Sequence, residues 1–109
     1  MFEAGLKEVV GKLQAGGARV ILCTPSVIGE KKAGGNPLDA KLDQYADISR
    51  GVAKKLNLQL CDLRKAFVDY LAENNPKDKE TGILTRDRVH MNKAGYQLVA
   101  DTMLKTLEP

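Results

Sequence analysis

Two short apolar runs, Ala18-Arg19-Val20-Ile21-Leu22-Cys23 and Leu58-Gln59-Leu60-Cys61-Asp62, constrain the fold of this chain more than any other feature. Each reads as a strand, and the first, rich in β-branched residues, reads as one buried on both faces. Between them Leu38, Leu42, Tyr45, Val52 and Leu56 trace one face of a long helix that Asn57 can close. A strand, a helix and a second strand in that order imply a parallel pair joined by a crossover. Two parallel strands make a poor sheet, because at least one apolar edge is left without a partner. The pattern is that of one half of a doubly wound α/β domain, with helices on both faces.

The flanking segments extend the alternation. Phe2, Leu6, Val9, Val10 and Leu13 fall at helical spacing with one buried face, and Gly16-Gly17 stops that helix. Residues 26–35 read as a loop, and Asn36-Pro37 as an N-cap followed by the first helical residue. Asp62 is placed to cap a helix carrying Leu63, Ala66, Phe67, Tyr70 and Leu71 on one side, which Asn74-Asn75-Pro76 ends. Lys77 to Gly82 is an exposed polar loop, after which Ile83-Leu84 returns to the core. Asn92 caps a last helix expected to bury Tyr96, Val99, Met103 and Leu107. The 109 residues make one domain at most, without repeats.

Several function classes lose support at this level. No apolar run approaches the roughly 20 residues of a membrane span. The first residues show no secretory pattern, which leaves the compartment open, since a leader removed from a longer chain would leave no trace. The net charge is +3 with lysines and arginines scattered, and neither Lys31-Lys32 nor Lys54-Lys55 is interleaved with aromatics, so nucleic acid is not an expected partner. Cys23 and Cys61 read as buried thiols in strands. Two thiols and one distant histidine show no zinc-type spacing, and no metal site is expected.

The chemistry concentrates in Asp87-Arg88-Val89-His90, which holds the only histidine. A carboxylate three residues ahead of an imidazole, just before a helix, can hold the ring in one tautomer and leave its other nitrogen free as a base. Ligands of open α/β sheets bind beyond the carboxyl ends of the strands, marked here by Thr24-Pro25 and Asp62. On spacing alone, a surface histidine beside a capping asparagine explains the motif equally well.

The setting of the motif adds to this. Leu84-Thr85-Arg86-Asp87-Arg88-Val89-His90-Met91-Asn92-Lys93-Ala94-Gly95-Tyr96 resembles the last conserved block of the SGNH hydrolases, the GDSL esterase/lipase family. Gly17 to Pro25 resembles the family's penultimate strand, and Leu42-Asp43-Gln44-Tyr45-Ala46 with Arg50 and Val52-Ala53 the helix after it. The resemblance spans essentially the whole chain in the family's order. It implies that residues 1–109 are the C-terminal half of a three-layer α/β/α flavodoxin-like domain, and that Met1 is an internal residue of a longer chain or the start of an expressed piece of it. It makes Asp87 and His90 the acid and base of a Ser-His-Asp triad acting on small carboxylic esters, such as acetylated sugars, without a cofactor.

Two departures qualify it. Arg88 stands where the family often has glycine. The Gly-Asp-Ser nucleophile motif and the glycine and Gly-x-Asn-Asp motifs of the oxyanion hole are missing. The only serines are Ser49, within a helical pattern, and Ser26, in a loop without a nucleophile elbow. Gly95 is expected to permit close packing of the last helix. The loop from Val27 to Gly35 either lines or closes over a substrate pocket or is a plain solvated connection. The isolated chain is expected to lack esterase activity, and its first strand to pair with a missing N-terminal half or with a second copy. The alternative is a non-catalytic α/β interaction module or complementing fragment in which Asp87 and His90 only fix a turn.

Overall fold

Apolar spacing and helix punctuation set the element order. In a computed structural model that describes residues 2–108, α1 (Phe2–Ala15), β1 (Ile21–Cys23), α2 (Asp39–Lys55), β2 (Gln59–Cys61), α3 (Leu63–Asn74) and α4 (Lys93–Leu107) follow one another. The expectation for Met1 lies outside the described residues. β1 and β2 pair in parallel, with Ile21 opposite Gln59, Leu22 opposite Leu60 and Cys23 opposite Cys61. The backbone N–H of Thr24 extends this ladder to the Cys61 carbonyl at 3.1 Å. The chain is thus an α/β unit built on a parallel pair, each strand with one unpaired edge among the described residues.

Alternation along β1 assigns the helices to its two faces. Leu22 is buried with Val10 of α1 and Val52 and Ala53 of α2. Ile21 and Cys23, on the opposite face, line a cavity of about 200 Å³ with Cys61 and with Met103, Thr106 and Leu107 of α4. A second cluster, Val27, Phe67, Leu71 and Leu84, binds α3 and α4 to the long loops. Asp62 caps α3 by accepting from the Lys65 N–H at 3.1 Å, and Asn92 caps α4 by accepting from the Gly95 N–H at 2.9 Å. A Cβ at Gly95 would lie 2.1 Å from the Leu84 carbonyl oxygen, so glycine alone lets α4 seat this closely.

Five expectations are corrected. α1 buries only Val10 and partly Leu6, and Phe2, Val9 and Leu13 stay exposed, because α2 covers a narrow line of it. Cys23 is exposed whereas Cys61 is buried, since β1 ends at an unpaired edge. α2 begins at Asp39 rather than Pro37. The Asp39 carboxylate turns back to accept from the N–H groups of Gly34 and Asn36 and from Asn36 Nδ2, at 2.9, 3.1 and 2.9 Å, which holds a separate turn ahead of the helix. The buried face of α2 is then Ala46, Ser49, Val52 and Ala53, with Leu38 and Leu56 outside it. In α4, Gly95 sets the inner line, which continues through Leu98, Val99, Thr102 and Thr106 and turns Tyr96, Met103 and Leu107 toward solvent.

Candidate active site

The segment between Leu84 and α4 folds into a tight reversed loop. Arg86 N–H donates to the His90 carbonyl at 2.8 Å and Asn92 N–H to the Leu84 carbonyl at 3.0 Å, with an antiparallel bridge between Thr85 and Met91. Asp87 organises the tip. Its Oδ1 accepts from the backbone N–H groups of Val89 and His90 at 3.0 and 2.7 Å. Its Oδ2 lies 2.7 Å from His90 Nδ1. The His90 N–H, the His90 ring and the Val89 N–H, in that order, hold the Asp87 carboxyl at about 2, so it is ionised across the neutral range.

In this geometry Nδ1 donates to Asp87, and Nε2 has no hydrogen-bond partner among the described residues. The arrangement can orient an imidazole and stabilise its protonated form, as a general base requires. Both side chains are open to solvent, His90 at 66% and Asp87 at 53%. Water screens an exposed pair of this kind strongly. Arg88 occupies the left-handed backbone region at φ 79°, as a glycine would, at a cost of about 1–3 kcal/mol that surrounding contacts must offset. Beside it lies a cavity of about 380 Å³ lined in part by Ile28, Gly29, Leu38, Glu80 and Arg88.

The other residues named from the sequence have structural duties. Thr24 Oγ1 donates to Asp62 at 2.9 Å, tying the two strand ends together. Asp62 also takes Arg50 Nε at 2.8 Å and Nη2 at 3.0 Å. Burial raises the Asp62 pKa, but Arg50, the Lys65 N–H and Thr24 outweigh it and hold the carboxyl below its usual value. Ser49 is buried within α2. The carbonyl of Ser26 accepts from Arg64 Nη1 at 2.9 Å, so the backbone on that side of the loop is fixed. Among the described residues no group of histidine, cysteine, aspartate and glutamate is placed to hold a metal ion.

Two buried charged groups escape a sequence reading. Arg64 reaches Asp43 at 2.8 Å and Asp39 at 3.1 Å. Glu30 is fully buried, and its carboxylate receives the N–H groups of Ile83, Leu84 and Thr85 and the Thr85 hydroxyl. The 27–35 loop is therefore pinned to the Asp87–His90 loop through this contact. Neither residue carries a motif: Glu30 lies in a loop, and Arg64 is a charged residue at the start of α3 outside the apolar set read for that helix.

Residues 1–98 match the family described as GDSL-like lipase/acylhydrolase. The chain is 27% identical over 106 residues to an acetylxylan esterase of Geobacillus stearothermophilus, covering 97% of this chain and 45% of that protein. Among solved structures, the acetyl xylan esterase AlAXEase superposes with a TM-score of 0.93 at 44% identity, over 97% of this chain and 54% of its own. An alpha/beta hydrolase enzyme from the metagenome of Lake Arreo, Spain, superposes with a TM-score of 0.79 at 31% identity, over 96% and 45%. Solved forms of the Geobacillus stearothermophilus esterase Axe2 include catalytic mutants in which a serine or an aspartate is replaced by alanine. The chain spans about half the length of these relatives.

Proposed function

The chain belongs to the GDSL-like lipase/acylhydrolase family, and from that premise we propose that it supplies the aspartate and histidine of a serine esterase acting on small acetyl esters of sugars. The observation that carries this reading is the 2.7 Å contact between His90 Nδ1 and Asp87 Oδ2, with Nε2 left bare. The acetylxylan esterases among its relatives support the substrate class, and the catalytic serine and aspartate mutants of one of them support the reaction type.

In the complete enzyme His90 Nε2 takes the proton of a serine hydroxyl as its oxygen attacks the ester carbonyl. The tetrahedral intermediate collapses, the C–O bond to the sugar breaks, and His90 returns the proton to the leaving alkoxide. Water then attacks the acetyl-serine, His90 again takes a proton, and acetate leaves as the serine is regenerated. Asp87 holds Nδ1 and stabilises the imidazolium at each step. The serine and the oxyanion donors come from sequence outside these 109 residues, in an N-terminal half or a partner that completes the sheet beside the strand pair.

The test uses this chain alone and the complete polypeptide that contains it. The isolated chain is expected to show no hydrolysis of p-nitrophenyl acetate or acetylated xylo-oligosaccharide above buffer, because the nucleophile and oxyanion donors supply most of the rate. In the complete polypeptide, His90→Ala is expected to lower kcat by about 10³-fold or more. Hydrolysis by the isolated chain that His90→Ala abolishes would overturn the division of the site, and an unaffected His90→Ala in the complete protein would overturn the assignment.

A further inference from the structure

Glu30 is as completely buried as any residue in the chain, yet among the described residues its carboxylate meets only uncharged donors. A buried polar group must be matched by hydrogen bonds, and four converge on this one. A carboxylate has one property that an amide or hydroxyl lacks: it accepts at every lone pair and presents no donor of its own. That suits a site where several N–H groups converge. Oε1 takes the Leu84 N–H at 2.5 Å, and Oε2 takes the N–H groups of Ile83 and Thr85, each at 3.3 Å.

The fourth donor connects this cluster to the histidine loop. Thr85 Oγ1 donates to Glu30 Oε2 at 2.6 Å, which aims its remaining lone pairs at the Arg88 N–H, 3.0 Å away. The residue before Glu30 supplies a second tie, with Gly29 N–H donating to the Arg88 carbonyl at 2.8 Å. Both backbone groups of Arg88 are therefore held, at the residue whose φ of 79° an L side chain rarely adopts. Glu30 is fixed in turn from the end of α3: its carbonyl accepts from buried Asn75 Nδ2 at 2.7 Å, and its N–H donates to the Glu80 carbonyl at 3.0 Å.

We propose that Glu30 is a positioning residue for the Asp87–His90 pair, acting through Thr85 and the Arg88 backbone to hold the strained turn that sets His90 against Asp87. The proposal rests on the reading of that pair as the acid and base of the esterase. It gives the 27–35 loop a role as a fixed strut rather than a moving cover. Glu30→Gln keeps the shape of the side chain but places a donor amide among converging donors, so at least one contact must open.

Titration of the Asp87 carboxyl, followed by NMR in the 109-residue chain, reads the turn directly. Its value of about 2 depends on the N–H groups and ring that the turn brings to it. Glu30→Gln is expected to raise it by one unit or more toward 3.8, the ordinary value. It should also shift the ring signals of His90, the single histidine. Val10→Ala, in the other cluster, is the control for lost stability alone and is expected to leave Asp87 unmoved. Thr85→Val removes only the relay and should act in the same direction to a smaller extent, which keeps the test usable where Glu30→Gln does not fold. A folded Glu30→Gln chain in which Asp87 titrates as it does in the unsubstituted chain, or a Val10→Ala chain that raises Asp87 as far, would overturn the proposal. Failure of the esterase reading shows separately, as full activity of His90→Ala in the complete protein.

Discussion

The cluster around Val10 and the cluster around Phe67 are closed in different ways. Around Val27, Phe67, Leu71 and Leu84, apolar packing is ringed by saturated polar contacts, with Glu30 and Asn75 drawing three loops onto the ends of α3 and α4. Around Val10, Leu22, Val52 and Ala53, the packing runs out at its margin into exposed Phe2, Val9 and Leu13 and an unpaired strand edge. The candidate site grows out of the closed region. The open region leaves apolar side chains and a strand edge at the surface.

Single substitutions measure the difference. Phe67→Ala removes a fully buried ring from the closed cluster and is expected to cost about 3–5 kcal/mol by urea denaturation. Phe2→Ala, at a residue 43% exposed, is expected to cost under about 1 kcal/mol. Equal losses would erase the distinction. Gly95→Ala comes next. Its methyl would meet the Leu84 carbonyl at 2.1 Å and Met91 Cβ at 3.0 Å, so α4 must shift. A loss of about 1–3 kcal/mol is expected. Because Leu84 N–H is bound by Glu30, the shift should also disturb the His90 ring signals.

Acid should loosen the bonds that join the two regions. Asp39 on α2 is paired with Arg64 on α3, and Asp62 ahead of α3 with Arg50 on α2. Burial acts to raise both carboxyls, but hydrogen bonds from Asn36 and Arg64, and from Arg50 and the Lys65 N–H, more than compensate, so both sit below 3.8. A carboxyl depressed in the folded state contributes stability that is fully present above its unfolded pKa, about 4, and is lost as pH falls through the folded value. Urea midpoints should therefore hold between pH 5 and 7 and fall steeply below pH 4. Asp39→Asn should flatten part of that fall, and an unchanged profile would show that this pair does not link the regions.

The legible parts of this fold are those that periodicity and punctuation encode. Gly16-Gly17, Asp62 and Asn92 mark helix ends by local backbone chemistry, and the structure keeps all three roles. The Asp87–His90 contact was legible for the same reason, since a three-residue spacing suffices to close it. What was not legible depends on partners distant in sequence. Glu30 meets residues 53 to 55 positions away, and nothing in Val27-Ile28-Gly29-Glu30 distinguishes it from a solvated loop carboxylate. Helical spacing puts Tyr96 on the inner face of α4 with Val99, Met103 and Leu107, whereas the close seat of Gly95 rotates the helix by one position.

The smallest effect bears on the open edge itself. Cys23 and Cys61 face each other across the strand pair, yet Cys61 is 1% exposed and Cys23 is accessible. Partial desolvation, and then the neighbouring Cys61, raise the Cys23 thiol above 9.0, so little thiolate forms at neutral pH. Iodoacetamide at pH 8 is expected to label one cysteine per folded chain, Cys23, more slowly than a free model thiol, with Cys61 reacting only in urea. Peptide mass mapping identifies the site. In a complete polypeptide that supplies a strand or helix against this edge, Cys23 should become protected as well. Labelling of Cys61 at a similar rate would show that the strand pair opens as a unit. Cys23 remaining equally reactive in the complete protein would show that the open margin is a free surface, and the contrast between the two clusters would then need another cause.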